Sequence, residues 1–135
     1  MLLRSRKKNP PTAGDPFSRK QALACVPVRN PQIHEHKNEQ GDLCLTYQVR
    51  IKPWFQNIVQ RITGRTNDII ERKLQLDGLG SSVWQMINGQ QNVKELIAEF
   101  QSIHQLNHRE AEISVTAFLK ELGKRGLIVM REKQQ

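Results

Sequence analysis

Few residues of this 135-residue chain have the type and spacing to do chemistry: His34-Glu35-His36, the pair His104 and His108, the thiols Cys25 and Cys44, and Ser81-Ser82. On a strand His34 and His36 share one face, and the i, i+4 spacing of His104 and His108 would suit a metal on a helix. Asn107 reads as a helix cap, however, which puts a break between His104 and His108, and no third ligand lies nearby in sequence. Cys25 and Cys44 lack the C-x-x-C or Cys/His spacing of a metal site and read as free thiols, consistent with a cytoplasmic protein. Ser81-Ser82 lies outside a G-x-S-x-G frame, and "DGLGSS" lacks the lysine and spacing of a phosphate loop. No carboxylate pair stands in an acid–base motif. The sequence therefore assigns no catalytic residue, no metal ligand and no cofactor, and predicts a protein that is not an enzyme.

With catalysis set aside, binding is what the chain offers, and charge is the first guide to a partner. The net charge of +8 is unevenly placed. Residues 1–31 hold seven Lys/Arg against one Asp, residues 32–76 seven against five, and residues 77–135 seven against seven. The excess belongs to the front of the chain. "MLLRSRKKNPPTAGDPFSRK" is basic, Pro-rich and poor in apolar residues, so residues 1–30 are expected to form a solvated, disordered arm. No apolar run approaches the roughly 20 residues that span a bilayer.

The elements expected to position a binding surface start near Ile33. "QIHEHK" and "DLCLTYQVR" flank the polar loop "NEQG", a hairpin signal. Leu43, Leu45, Tyr47 and Val49 fall on one face of the second strand, with Cys44, Thr46, Gln48 and Arg50 on the other. Pro53 then opens a short basic amphipathic helix with the stripe Trp54, Phe55, Ile58, Val59 and Ile62, stopped by Gly64. Such a helix packs on its own sheet or touches an anionic membrane. "DIIERKLQLD" restores alternation through Ile70, Arg72, Leu74 and Leu76 as a third strand.

Three helices follow. Asp77 caps the first, which carries Leu79, Val83, Trp84 and Ile87 and ends at Asn88-Gly89. Asn92 with Glu95, and Asn107 with Glu110, have the spacing of capping boxes for the second and third. The second helix places Val93, Leu96, Ile97, Phe100 and Ile103 on one face; the third buries Val115, Phe118, Leu119 and Leu122. Gly126 stops it, and "LIVM" closes the domain as a short strand or extended segment. The expected class is α+β and winged-helix-like: a small antiparallel sheet of about three strands on a three-helix bundle, with one extra amphipathic helix. The expected domain spans 31–130, with an insert at about 50–71 and a tail at 131–135.

A winged-helix frame invites a DNA reading, with the third helix in the groove. Glu110 and Glu112 in its first turn oppose phosphate approach, so nucleic acid is the disfavoured partner and a winged-helix DNA binder the alternative reading. A membrane-associated protein using helix 53–63 is the other alternative, through peripheral contact only. The stronger opportunity is the third strand. If the first two strands pair, residues 71–76 keep a free edge guarded only by Arg72 and Lys73, a template for another extended chain.

"LQLDGLGSSVWQMINGQQNVKELIAEF" followed by "EISVTAFLKELGKRGLIV" resembles the PqqD family of pyrroloquinoline quinone biosynthesis and the wider class of peptide-recognition elements of ribosomally made, modified peptides. The shared features are Leu76, Gly80, Val83-Trp84, Asn88-Gly89, Val93, Leu96-Ile97, Phe118-Leu119, Leu122 and Gly126-Leu127, over about residues 72–130. The insert at 50–71 and the basic arm lie outside the resemblance. It implies a winged-helix-like domain without catalytic residues, a peptide chaperone. Such a domain holds the leader of a precursor peptide against the third strand and third helix, and presents it to a modifying enzyme, often a radical S-adenosylmethionine enzyme. Carried onto this chain, the peptide-binding residues are Arg72, Lys73, Leu74 and Gln75 on the strand and Ser114, Ala117, Phe118 and Glu121 on the helix.

Overall fold

The computed structural model describes residues 16–50, 60–62, 64 and 69–132. They form α1 (Pro16–Ala24), β1 (Val26–Arg29), β2 (His34–Lys37), β3 (Leu43–Arg50), β4 (Ile69–Gln75), α2 (Gly78–Met86), α3 (Val93–His104), α4 (His108–Lys124) and β5 (Ile128–Arg131). The class is α+β. Two compact units divide the chain: residues 30–82 make one, and the segments ending at Arg29 and starting at Val83 make the other.

The unit of residues 30–82 is built on an antiparallel sheet in the order β2-β3-β4. The turn between β2 and β3 is closed by Asn38, whose amide donates to the Asp42 carbonyl (2.9 Å) and whose Oδ1 accepts from the Gln40 and Asp42 amides. Gly41 completes it at φ +86°, a conformation a side chain would strain. Along β3, Leu43, Leu45 and Tyr47 are buried as the alternation requires, while Val49 at the far end is exposed. Cys44, expected on the outward face, is buried as well. Of the expected 53–63 helix, Trp54, Phe55, Ile58 and Val59 lie outside the described residues. Residues 60–62 are helical, and the Gly64 amide bonds back to the Gln60 carbonyl at 2.8 Å with φ +74°, the stop expected there.

The other unit holds the helices. α3 and α4 both begin with complete capping boxes. Asn92 Oδ1 accepts from the Glu95 amide while Glu95 Oε1 accepts from the Asn92 amide, and Asn107 and Glu110 repeat the exchange. α3 buries Val93, Leu96, Ile97 and Phe100 but leaves Ile103 exposed. α3 ends at His104, with Gln105 at φ 55° turning the chain before α4, so His104 and His108 stand on separate helices. Among the described residues no three His, Cys, Asp or Glu side chains converge as a metal site. α2, whose residues straddle the unit boundary, starts at the Asp77 cap as expected: Asp77 Oδ1 accepts from the Gly80 amide at 2.6 Å. Trp84 near its end is fully buried, whereas Leu79 is exposed.

The start of the fold differs from expectation. Residues 1–15 of the predicted arm lie outside the described residues, but 16–29 form a helix and a strand. β1 pairs antiparallel with β5, Val26 opposite Arg131 through Arg29 opposite Ile128, and Val26 and Pro27 are fully buried. The Cys25 carbonyl accepts from the Val93 amide at 2.9 Å, and the Arg29 guanidinium lies over the Trp84 ring at 4.7 Å while donating to the Trp84 carbonyl. α1 is tied to α4 by an ion pair, Arg19 Nε to Glu112 Oε2 at 2.9 Å. Four strand residues offer too little periodicity to announce themselves; their order comes from a partner about a hundred residues away. Among the described residues no helix is long and apolar enough to cross a membrane.

Candidate functional site

β4 is an edge strand. Arg72, Lys73, Leu74 and Gln75 all lie on it, paired on one side with β3 from Gln75 opposite Cys44 to Ile69 opposite Arg50. Among the described residues no strand pairs with its other side. Which backbone groups face outward follows from a single bond. The Leu76 amide donates to the carbonyl of Leu43, the residue directly opposite, at 2.8 Å. In an antiparallel ladder, hydrogen-bonded and non-hydrogen-bonded pairs alternate. Leu74 and Arg72 therefore aim their amide and carbonyl groups at β3, and Glu71, Lys73 and Gln75 aim theirs outward. The free groups sit on either side of Leu74 rather than on Leu74 itself. The sequence could not supply this phase, because alternation of side chains says nothing about which edge is paired.

The same parity sorts the side chains. Ile70, Arg72 and Leu74 share a face with Val49, Tyr47 and Leu45, the residues opposite them. Glu71, Lys73 and Gln75 share the other face with Gln48, Thr46 and Cys44. Ile70 and Val49, directly opposite each other, are 39% and 37% exposed, an apolar pair left open at the end of the sheet. Leu74 is half-buried, and Glu71, Arg72 and Lys73 are exposed. Gln75 is anchored, its Nε2 donating to Asp42 Oδ2 at 2.9 Å.

The helical candidates form one stripe of α4, beside the buried row Ala111, Val115, Leu119 and Leu122. Ser114, Phe118 and Glu121 are half-buried and Ala117 is exposed. Phe118, expected in the core row, stands at its margin, and Ala111 takes the buried place a turn earlier. Glu121 is held by Arg125, Nε to Oε2 at 2.9 Å. At the start of α4 both carboxylates have partners: Glu110 closes the capping box, and Glu112 pairs with Arg19 and lies 3.4 Å from His108 Nε2. The Thr116 hydroxyl donates to the Glu112 carbonyl at 2.7 Å. Both carboxylates of this first turn are thus held by partners within the same unit. The strand set and the helix set belong to different units: the strand set is divided between the two faces of β4, and the helix set forms one stripe of α4.

Residues 69–128 match the family model of coenzyme PQQ synthesis protein D (PqqD). The match begins at the first residue of β4 and runs through α2, α3 and α4 to the start of β5, so it contains every strand and helix candidate named above. No curated protein and no solved structure matches the chain significantly.

Proposed function

We propose, from the match of residues 69–128 to the PqqD family model, that the chain is a non-catalytic accessory protein that takes a precursor peptide on β4 by strand addition and presents it to a modifying enzyme. The observation that carries this reading is the edge of β4 that no strand among the described residues shares, with the backbone groups of Glu71, Lys73 and Gln75 directed outward. A guest pairing there forms several backbone hydrogen bonds, each contributing about 0.5–1.5 kcal/mol net. Side chains on the guest then decide between candidates. Arg72, Lys73, Leu74 and Gln75 are the proposed strand contacts, and Ser114, Ala117, Phe118 and Glu121 on α4 the proposed helix contacts. The partner is a modifying enzyme such as a radical S-adenosylmethionine enzyme, and the setting is the cytoplasm. The basic residues 1–15 and the Trp54-Phe55 segment have no assigned part in this function.

The test is amide-shift mapping with the leader of a precursor peptide encoded beside this chain's gene. Shifts at 71–76 and 114–121 support the proposal. Shifts confined to the first 30 residues overturn it.

A further inference from the structure

The side-chain order along β4 selects the guest. Resting on the strand-addition reading above, we propose that the segment it takes has the pattern apolar–x–acidic–x–apolar. A strand added at the open edge sets its side chains beside those of β4, face for face, whichever direction it runs. On the face shared with Val49, Tyr47 and Leu45, the guest's neighbours are Ile70, Arg72 and Leu74 in turn. Ile70 and Val49 leave an apolar pair open at one end, and Leu74 is half-buried at the other, so a guest residue beside either gains by being apolar. Arg72 lies between them, exposed, and makes no ion pair with a carboxylate among the described residues. A carboxylate beside it is attracted, and a lysine is repelled. Because this face reads apolar–charged–apolar from both ends, the pattern holds for parallel and antiparallel guests alike.

A competing account makes Arg72 only a guard, a charge that keeps the edge from pairing with other copies. That account gives no preference among guests. The two separate with synthetic peptides TVTETVT and TVTKTVT, titrated against the full chain while amide shifts at 71–75 are followed. The wild-type protein is expected to prefer TVTETVT by about tenfold at low salt, with the preference shrinking as salt rises. Arg72→Glu, an exposed substitution that leaves the ladder intact, is expected to invert the preference, and Arg72→Gln to abolish it. Equal binding of both peptides at 71–75 overturns the pattern while leaving strand addition standing. Silence from both heptapeptides, with the precursor leader still shifting 71–75, likewise overturns the pattern alone. Silence from all three overturns both.

Discussion

Leu76 and Leu43 face each other across the end of the β3–β4 ladder, the Leu76 amide donating to the Leu43 carbonyl at 2.8 Å. That bond fixes the phase of the whole strand. Counting back in twos, Leu74, Arg72 and Ile70 spend their backbone groups on β3, and Gln75, Lys73 and Glu71 keep theirs for the open side. Neighbouring residues on β4 therefore have opposite roles, and substitutions one position apart should have different consequences.

Proline separates them. Lys73→Pro removes an outward amide and no ladder bond, a change tolerated on an edge strand. Its stability should stay within about 1 kcal/mol of wild type, while leader binding falls roughly tenfold or more through a lost bond and a misplaced ring. Arg72→Pro removes an amide that serves β3 and should cost about 1–3 kcal/mol in folding. Urea melts and peptide titrations on the two variants check the contrast.

Phenylalanine gives a second contrast. Phe100 is fully buried on α3 with its ring centroid 4.5 Å from that of His104, and Phe100→Ala should cost about 3–5 kcal/mol. Phe118, half-buried on α4, should lose about half that or less as Phe118→Ala. If it is a peptide contact, the smaller stability loss comes with a clear drop in leader affinity, which calorimetric titration of the folded variant measures.

The capping boxes act locally. Asn92→Ala and Asn107→Ala each remove the acceptor for an amide three residues on, at 2.7 and 2.8 Å, and each should lower stability by about 1 kcal/mol. Since they cap different helices, the double variant should show the sum to within about 0.5 kcal/mol in denaturant midpoints.

The tie between Arg19 and Glu112 is a surface pair, with the Arg19 side chain half exposed. Arg19→Ala should change stability by less than about 1 kcal/mol, and the difference should fade as salt is raised. Melting temperatures at low and high ionic strength check this.

Legibility in the sequence followed the range of the interactions involved. The Asn92–Glu95 and Asn107–Glu110 boxes, the Asp77 cap and the Asn38–Asp42 turn close within three or four residues, so residue type and spacing were enough. α1 and β1 were not legible, because β1 is held by β5 at the far end of the chain and by the Cys25 carbonyl meeting the Val93 amide. Phe118 was expected among the buried residues because helical spacing places it next to Leu119 and Leu122. Ala111, small and unremarkable in sequence, is the one that is buried. The strand β4 itself was legible from alternation, but its hydrogen-bond phase was not, since that parity is a property of the pairing with β3.

Amide hydrogen exchange across β4 tests the central claim most directly. In the free protein, exchange should alternate: slow at Arg72 and Leu74, fast at Glu71, Lys73 and Gln75. Saturation with the precursor leader should slow Lys73 and Gln75 to the level of their neighbours. An alternation absent in the free chain, with Lys73 already protected, or a leader complex in which Lys73 and Gln75 still exchange fast, would contradict strand addition at this edge.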